Sequence, residues 1–313
     1  MLFKKKIDPE PLGIPLGKIN EILKSTSLQS KLVKGGMEVT YEKLTAVVSV
    51  EEPPVREAPI KDIQAIITIK TYLPKQFLQF MSKPEFRMMA NNMATFSAIT
   101  EDETGIFLGS RLTIYEDETG WNVYFPILLY SLITTNETFN HSLRILLKQE
   151  QAIKEVSSWT DDDFKLTKSY LDNVCVCTTG GSKLSFTAEF GIETDAHSAI
   201  LGHQTALWRM LATEPHPVLG GGLLCILELP FEFEKEKLMS VINTLNKAEM
   251  LPNDLPPHFG SWTIGTKKNN PAYISFLPNI MHKEAKNIHV NMSIWANSRV
   301  QSAFVTLLSH GYI

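Results

Sequence analysis

The chain has 313 residues, a net charge of −4 at pH 7 and an ordinary globular mixture of apolar and charged residues. This length suits about two domains of roughly 100–200 residues each, with enough apolar side chains to build a core. Acidic and basic residues are interspersed and no basic block is present, so the composition argues against a nucleic-acid partner.

The chain start, MLFKKKIDPEPLG, lacks the apolar run of about 7–15 residues that a secretory signal requires. No stretch approaches the ~18 apolar residues of a membrane span. The three cysteines agree with a reducing compartment. We therefore expect a soluble, cytoplasmic protein without membrane insertion.

In the first half, alternating apolar residues predict strands at 44–50 and 63–69, each with one packed face. In the second of these strands, Gln64, Thr68 and Lys70 are predicted to face away from the core. Between them, the proline-rich segment 51–59 is predicted as a loop. A helical region follows to about residue 93, interrupted at Pro84. Next come a strand at 106–115, a second strand in WNVYF and a closing helix, predicted from the apolar stripe of Phe139, Leu143, Leu146 and Leu147.

The second half opens with Thr160 followed by three aspartates, the pattern of a helix N-cap. Alternation predicts a strand at 184–190, and the apolar run LLCILEL predicts another. An apolar stripe predicts a helix at 232–249. The strands SWTIGT and AYISFL follow, and a last stripe, from Met292 to Leu307, predicts the closing helix.

The two halves repeat one order of elements. A strand ends in Leu-Pro, a helical region follows, and then come a strand, a turn, a second strand and an amphipathic helix. The Leu-Pro pairs are at 73–74 and 229–230, and IFLGSRLTIY–EDETG–WNVYF matches SWTIGT–KKNNP–AYISFL. We favour an internal duplication over a coincidence of spacing. The predicted fold is α+β, with two similar domains at 1–155 and 156–313, each an antiparallel sheet with flanking helices.

The pentapeptide EDETG occurs at 101–105 and again at 116–120. A calcium loop is one interpretation, but the spaced acids and terminal Glu of such a loop are missing. Asp and Gly are also turn formers. KKNNP, matched to the second copy, keeps turn residues but not the acids. We therefore interpret both copies as turns.

Cys175 and Cys177 form a C-x-C, which in a strand would place both thiols on one face. A two-thiolate metal site or a redox pair is one interpretation. The further ligands of a zinc site are absent, however, and we favour buried structural cysteines.

Gly220, Gly221 and Gly222 lead into a strand and not a helix. They therefore indicate a bend or a close backbone approach and not a phosphate loop.

Three histidines, His197, His203 and His216, are the candidates for catalysis. The first two are six residues apart, without a third metal ligand, and we interpret them as loop residues. His216 is flanked by prolines, and no nucleophile motif accompanies it. The sequence thus predicts no catalytic residue, no metal site and no cofactor.

Four of the eleven methionines lie within thirteen residues, at Met81, Met88, Met89 and Met93. Flexible thioethers fill ordinary cores, but they also form adaptable binding grooves. We take these four residues as the candidate partner-binding site.

The order of elements resembles the small α+β fold of type III secretion chaperones and the related YbjN-like proteins. The resemblance is strongest in 220–308, where GGGLLCILELPFEFEKEKLMSVINTLNKAEM leads into LPPHFGSWTIG, AYISFLPNIM and a helix with Trp295, Ala296 and Arg299. It implies a non-enzymatic module that holds extended client segments in apolar grooves. A chain with two copies would form within itself the pair that such chaperones make as dimers.

The leading hypothesis is thus a cytoplasmic protein-binding or chaperone-like protein with a polypeptide client. The alternative is a small hydrolase or ligand-binding enzyme that uses the histidines in a cleft between the halves. A homo-oligomeric structural component is the third hypothesis.

Overall fold

The computed structural model defines the architecture of both halves. It describes residues 13–34, 36–41, 44–51, 63–73, 78–79, 81–93, 97–115, 120–129, 132, 155–180, 184–192, 204–212, 214–216, 219–251, 256–265 and 269–313. Below, the first half means the described residues up to 132, and the second half those from 155 onward.

The first half begins with a helix and continues with a four-stranded meander, a second helix and a β-hairpin. Its elements are α1 (Gly13–Lys24), β1 (Gln29–Val33), β2 (Gly36–Tyr41), β3 (Leu44–Glu51), β4 (Ile63–Tyr72), α2 (Pro84–Met93), β5 (Ala98–Glu101) and β6 (Ile106–Tyr115). A π-helical turn, Gly120–Tyr124, then leads into helical residues 125–129.

The second half repeats this order. Its elements are α3 (Asp161–Leu171), β7 (Val176–Thr179), β8 (Ser185–Gly191), β9 (Thr205–Leu211), β10 (Gly222–Glu228), α4 (Lys235–Glu249), β11 (Ser261–Ile264), β12 (Pro271–Pro278), α5 (Asn279–Glu284) and α6 (Ile288–Ser309). The predicted N-cap is confirmed, since the backbone N–H of Thr160 donates to Asp163 at 2.8 Å.

The two sheets share one topology. Each has six strands, in the order β1-β2-β3-β4-β6-β5 and β7-β8-β9-β10-β12-β11. All pairings are antiparallel, and β5 and β11 form the same edge of their respective sheets. The predicted α+β fold with two antiparallel sheets and flanking helices is therefore confirmed.

The structure corrects the hairpin that we matched between the halves. WNVYF is not a strand, because it lies in the π-helical turn and the helical residues after it. Buried side chains there recur at the helical spacing of Trp121, Tyr124, Phe125, Leu128 and Leu129. The hairpin β5–β6 is therefore the equivalent of β11–β12, and KKNNP corresponds to the first EDETG and not to the second.

The first EDETG is a turn, as predicted. The backbone N–H of Asp102 donates to the carbonyl of Gly105 at 3.0 Å, and one oxygen of its side chain accepts from the N–H groups of Thr104 and Gly105. Gly105 has a φ of 154°, which favours glycine. The second copy lies largely outside the described residues.

The central strands are more buried than a half-exposed sheet allows. Thr68, predicted to face away from the core, is buried, and every residue of β6 from Ile106 to Ile114 is buried as well. This prediction was wrong because both faces of these strands are covered.

The prediction of a close backbone approach at the glycines is confirmed, since a Cβ on Gly221 would lie 2.4 Å from the carbonyl oxygen of Val156.

Two predicted elements fall on residues that the structure does not describe. The first closing helix, predicted from Phe139 to Leu147, lies outside the described residues, and so does most of the predicted loop 51–59. The domain boundary at 155/156 follows the undescribed residues 133–154, and it stays a prediction.

Candidate binding groove between the two halves

The halves pack on each other reciprocally. Helix α2 of the first half contacts β11 of the second, and α4 of the second contacts β5 of the first. The edge strands β5 and β11 also contact each other. Because α2 and α4 hold the same place in the two topologies, the packing has the character of a two-fold contact within one chain.

A groove runs between α2 and α4 at this junction. Its volume is about 380 Å³, within the ~300–1,000 Å³ of typical ligand pockets. The apolar part of its lining comes from both halves and consists of Met88, Ile99, Met239 and Ile242. Polar side chains line the rest, among them Arg87, Glu101, Glu236, Ser240 and Asn243. The groove thus combines apolar surface with hydrogen-bonding and charged groups.

An ion-pair network joins the two halves at this groove. Glu101 on β5 accepts from Arg87 of α2 at 3.1 Å and pairs with Lys247 of α4 at 2.9 Å. Arg87 also donates to Asn243 of α4 at 3.2 Å. The hydrogen bond from Lys247, supported by the charge of Arg87, holds the pKa of Glu101 below its ordinary value, although partial burial opposes this.

The structure describes the side chains of two of the four methionines in the predicted site, and one of the two lines the groove. Met88 is half-buried and lines the groove, whereas Met81 is half-buried outside its lining and accepts a hydrogen bond from Arg87 through its carbonyl. Met89 and Met93 lie on α2, but their side chains are not described. The helix begins at Pro84, after a turn, as the interruption in the sequence predicted.

Sequence reasoning missed the second methionine of the groove. Met239 lies on α4 and lines the groove from the second half, as Met88 does from the first. In the sequence it stands beside the buried stripe of Leu238, Val241 and Ile242. The sequence did contain a signal, because Met239 lies one position off that stripe and therefore at the edge of the buried face. The matched order of elements in the two halves also indicates that α4 is the helix equivalent to α2.

Two asparagines close the sheet edges next to the groove. The side chain of Asn91 on α2 accepts from the N–H of Ile99 at 2.6 Å and donates to its carbonyl. Asn246 on α4 makes the same pair of bonds with Trp262, at 2.8 and 2.9 Å. Ile99 and Trp262 are each the second residue of a four-residue edge strand. These contacts, called the asparagine clasps below, satisfy backbone groups that an edge strand would leave unpaired.

A buried charged cluster extends from the junction. Arg299 of α6 donates to both carboxylate oxygens of Glu249, at 2.7 and 3.4 Å, and Trp262 donates to the same carboxylate at 3.1 Å. Arg111 of the first half donates to the backbone carbonyls of Glu249 and Pro256. Burial alone would raise the pKa of Glu249, but the charges of Arg299 and its other neighbours, together with the hydrogen bond from Arg299, outweigh it and hold the pKa below its ordinary value.

The candidate histidines do not gather around the groove in the described part of the chain. His216 is buried in a tight loop, where its Nδ1 accepts from the N–H of Leu219 at 3.1 Å and its ring packs on Phe276. His197 and His203 lie outside the described residues. Where the chain is described, no group of three or more His, Cys, Asp or Glu side chains is placed to hold a metal ion.

A Ser–His–Asp hydrogen-bonded chain lies elsewhere in the second half. His282 contacts the hydroxyl of Ser158 through Nδ1 at 3.0 Å and Asp163 through Nε2 at 3.2 Å. An acyl-transfer site also requires N–H donors for an oxyanion. The backbone N–H groups of Ser158, Trp159 and Thr160 are all bonded to side-chain oxygens. The arrangement is therefore that of a contact joining the start of α3 to α5.

Comparison with known proteins gives no relative: no family model, no curated protein and no solved structure matches the chain. Among the described helices, none is both long enough and apolar enough to span a membrane.

Proposed function

We propose that this chain is a non-enzymatic, cytoplasmic protein that binds a polypeptide client in the groove between α2 and α4. The single observation that carries the proposal is the groove itself, built from equivalent helices of two halves with the same topology. Its methionines supply flexible, polarisable surface, which adapts to different side chains.

The lining indicates the chemistry of the client. Met88 and Met239 offer contacts to apolar side chains, and the rim groups of Glu236, Ser240 and Arg87 offer hydrogen bonds to a peptide backbone. Both signs of charge are present on the rim. We therefore expect a client segment with apolar anchor residues and no strong net charge.

The proposal agrees with the resemblance to secretion chaperones and YbjN-like proteins. In that class of protein, a pair of α+β modules holds an extended client, and here one chain provides two modules of equal topology. The chaperone-like role is thus part of the proposal, as is the internal duplication that would have produced the pair.

The test is a binding titration with defined peptides. Fluorescence anisotropy of a labelled apolar-anchored peptide is followed against the full chain and against Met88→Glu and Met239→Glu. A charge in the apolar part of the groove is costly to desolvate, so we expect each variant to weaken binding by roughly tenfold or more, about 1.4 kcal/mol.

Ile280→Glu is the matched control, because Ile280 is an exposed apolar residue on α5 and does not line the groove. It should bind the peptide like the unmodified chain, and circular dichroism should show all three variants folded. The proposal would be contradicted if Ile280→Glu weakened binding as much as the two groove variants do. It would also be contradicted if the chain bound no apolar peptide.

A further inference from the structure

The C-x-C pair is a pre-formed dithiol. The sulfur atoms of Cys175 and Cys177 lie 3.3 Å apart, and both side chains are half-buried. The expectation of buried cysteines therefore holds for Cys225, which is fully buried, but not for these two. Because two thiols in contact are the geometry from which a disulfide closes, this pair calls for a chemical explanation.

The pair lies where it can react. Cys175 immediately precedes β7, the edge strand of its sheet, and Cys177 lies within it. The alternate residues Val174 and Val176 are 63% and 69% exposed, so the strand is open to solvent on its other face. Within the described part of the chain, β7 pairs with β8 alone, and an edge strand can adjust locally at lower cost than a central strand.

The local geometry also permits a bond between residues two apart. In a regular strand, Cα atoms at i and i+2 are separated by about 6.6 Å, near the upper end of the ~4.4–6.8 Å found in disulfides. Cys175 stands in a bend just before the first residue of β7, and not within the regular strand. The bend brings the two sulfur atoms into contact.

The surroundings of Cys175 favour its protonated form. Asp172, whose carboxylate accepts a hydrogen bond from Lys168, is one of its charged neighbours. Burial, followed by the hydrogen bond with Cys177, raises the pKa of Cys175 to about 12, and the charge of Asp172 adds to this. Burial and a nearby carboxylate favour the protonated thiol, which is the less reactive form.

We propose that Cys175 and Cys177 form a redox-active site that exchanges with low-molecular-weight disulfides such as oxidised glutathione. The thiolate of Cys177 attacks one sulfur of the glutathione disulfide, the S–S bond breaks, and one glutathione leaves as a thiolate. Cys175 then loses its proton to solvent and attacks the sulfur of Cys177. The second glutathione leaves, and an intrachain Cys175–Cys177 disulfide is formed. Two electrons pass from the protein to the glutathione disulfide. The inference is independent of the proposed function, because it uses no groove residue.

The experiment incubates the full chain with oxidised glutathione and maps its cysteines by alkylation and mass spectrometry. We expect the unmodified chain to lose two thiols, with the peptide containing both cysteines lighter by two hydrogen atoms. Cys225 should stay reduced because it is fully buried. In Cys175→Ser, glutathione should accumulate as a stable mixed disulfide on Cys177, since the second attack is blocked.

Further variants test the assigned order of attack. Cys177→Ser should react at least roughly tenfold more slowly, because the thiol that remains, Cys175, is largely protonated. The proposal would be overturned if Cys175 and Cys177 remain a dithiol. It would also be overturned if a mixed disulfide on the unmodified chain never closes to the intrachain bond. Equal rates for the two serine variants would overturn the assignment of Cys177 as the attacking thiol.

Discussion

At the scale of single residues, the junction of the halves is built from buried charge. Arg111, Glu249 and Arg299 are each almost completely shielded from water. Removing one partner of such a group leaves an uncompensated charge, which typically costs about 3–5 kcal/mol. Arg111 belongs to the first half and the other two to the second, so this cluster ties the structure of each half to the presence of the other.

His258 gives this cluster a measurable pH dependence. Burial lowers the pKa of His258 to about 3, with Arg299 and Arg111 adding to the effect and Glu249 opposing it. The folded chain therefore binds fewer protons than the unfolded chain at pH values between about 3 and the ordinary pKa of 6.5. The free energy of unfolding should then fall as the pH is lowered below 6.5, by about 1.4 kcal/mol per pH unit for one proton.

Replacing His258 with Leu removes this contribution, and urea unfolding between about pH 6.5 and 5 should show the slope reduced by about one proton. The slope does not vanish, because burial also lowers the pKa of His289. His310→Leu, the same substitution at an exposed histidine of the second half, is the control for the change of residue type. An unchanged slope in His258→Leu would show that this ring is not buried in its neutral form.

At the scale of elements, the asparagine clasps are the feature that the halves share most closely. Each clasp joins a helix to the second residue of an edge strand through a pair of backbone hydrogen bonds. The rest of α2 and α4 differs in length and sequence. The repeated contact therefore supports a duplication more strongly than the order of elements alone.

Alanine at either clasp should destabilise the chain. Asn91→Ala leaves the buried N–H and carbonyl of Ile99 without their partner, and Asn246→Ala does the same to Trp262, so each should cost about 1–3 kcal/mol or more in the free energy of unfolding. Asn92→Ala, at the exposed neighbouring position of α2, should change it by no more than about 0.5 kcal/mol. Urea denaturation followed by circular dichroism measures all three. Clasp variants as stable as Asn92→Ala would contradict this role.

The sequence predicts elements well where one physical signal dominates. Alternation located β3 and β4, the apolar stripe located α4, and Thr160 with Asp163 located the start of α3. It failed for WNVYF, where aromatic β-formers hid a helical spacing of buried residues. It also failed for the exposure of Thr68. Both faces of this central strand are buried, and the residues that pack on its second face are distant in sequence.

The site was predictable in part for the same reason. The methionine cluster pointed to α2, and Met88 lines the groove. The pairing of Met239 with the first half and the network around Glu101 depend on contacts between residues about 150 positions apart, such as Arg87 with Asn243. A single sequence without the matched halves gives no local signal for such contacts.

At the scale of the whole molecule, two sheets of the same topology are joined through reciprocal contacts of α2 with β11 and α4 with β5. The groove lies between these two helices, and its lining comes from both halves. A client bound there would contact both halves at once. Binding should therefore be a property of the pair and not of one module.

Site-specific photo-crosslinking tests this central claim most directly. A photoreactive amino acid is placed at position 88, 239 or 280 of the full chain and irradiated with the apolar-anchored peptide, and adducts are located by mass spectrometry. We predict peptide adducts from positions 88 and 239, one in each half, and few from position 280 on the exposed face of α5. Adducts from position 280 as abundant as those from 88 and 239, or adducts from one half alone, would contradict a shared groove between the two halves.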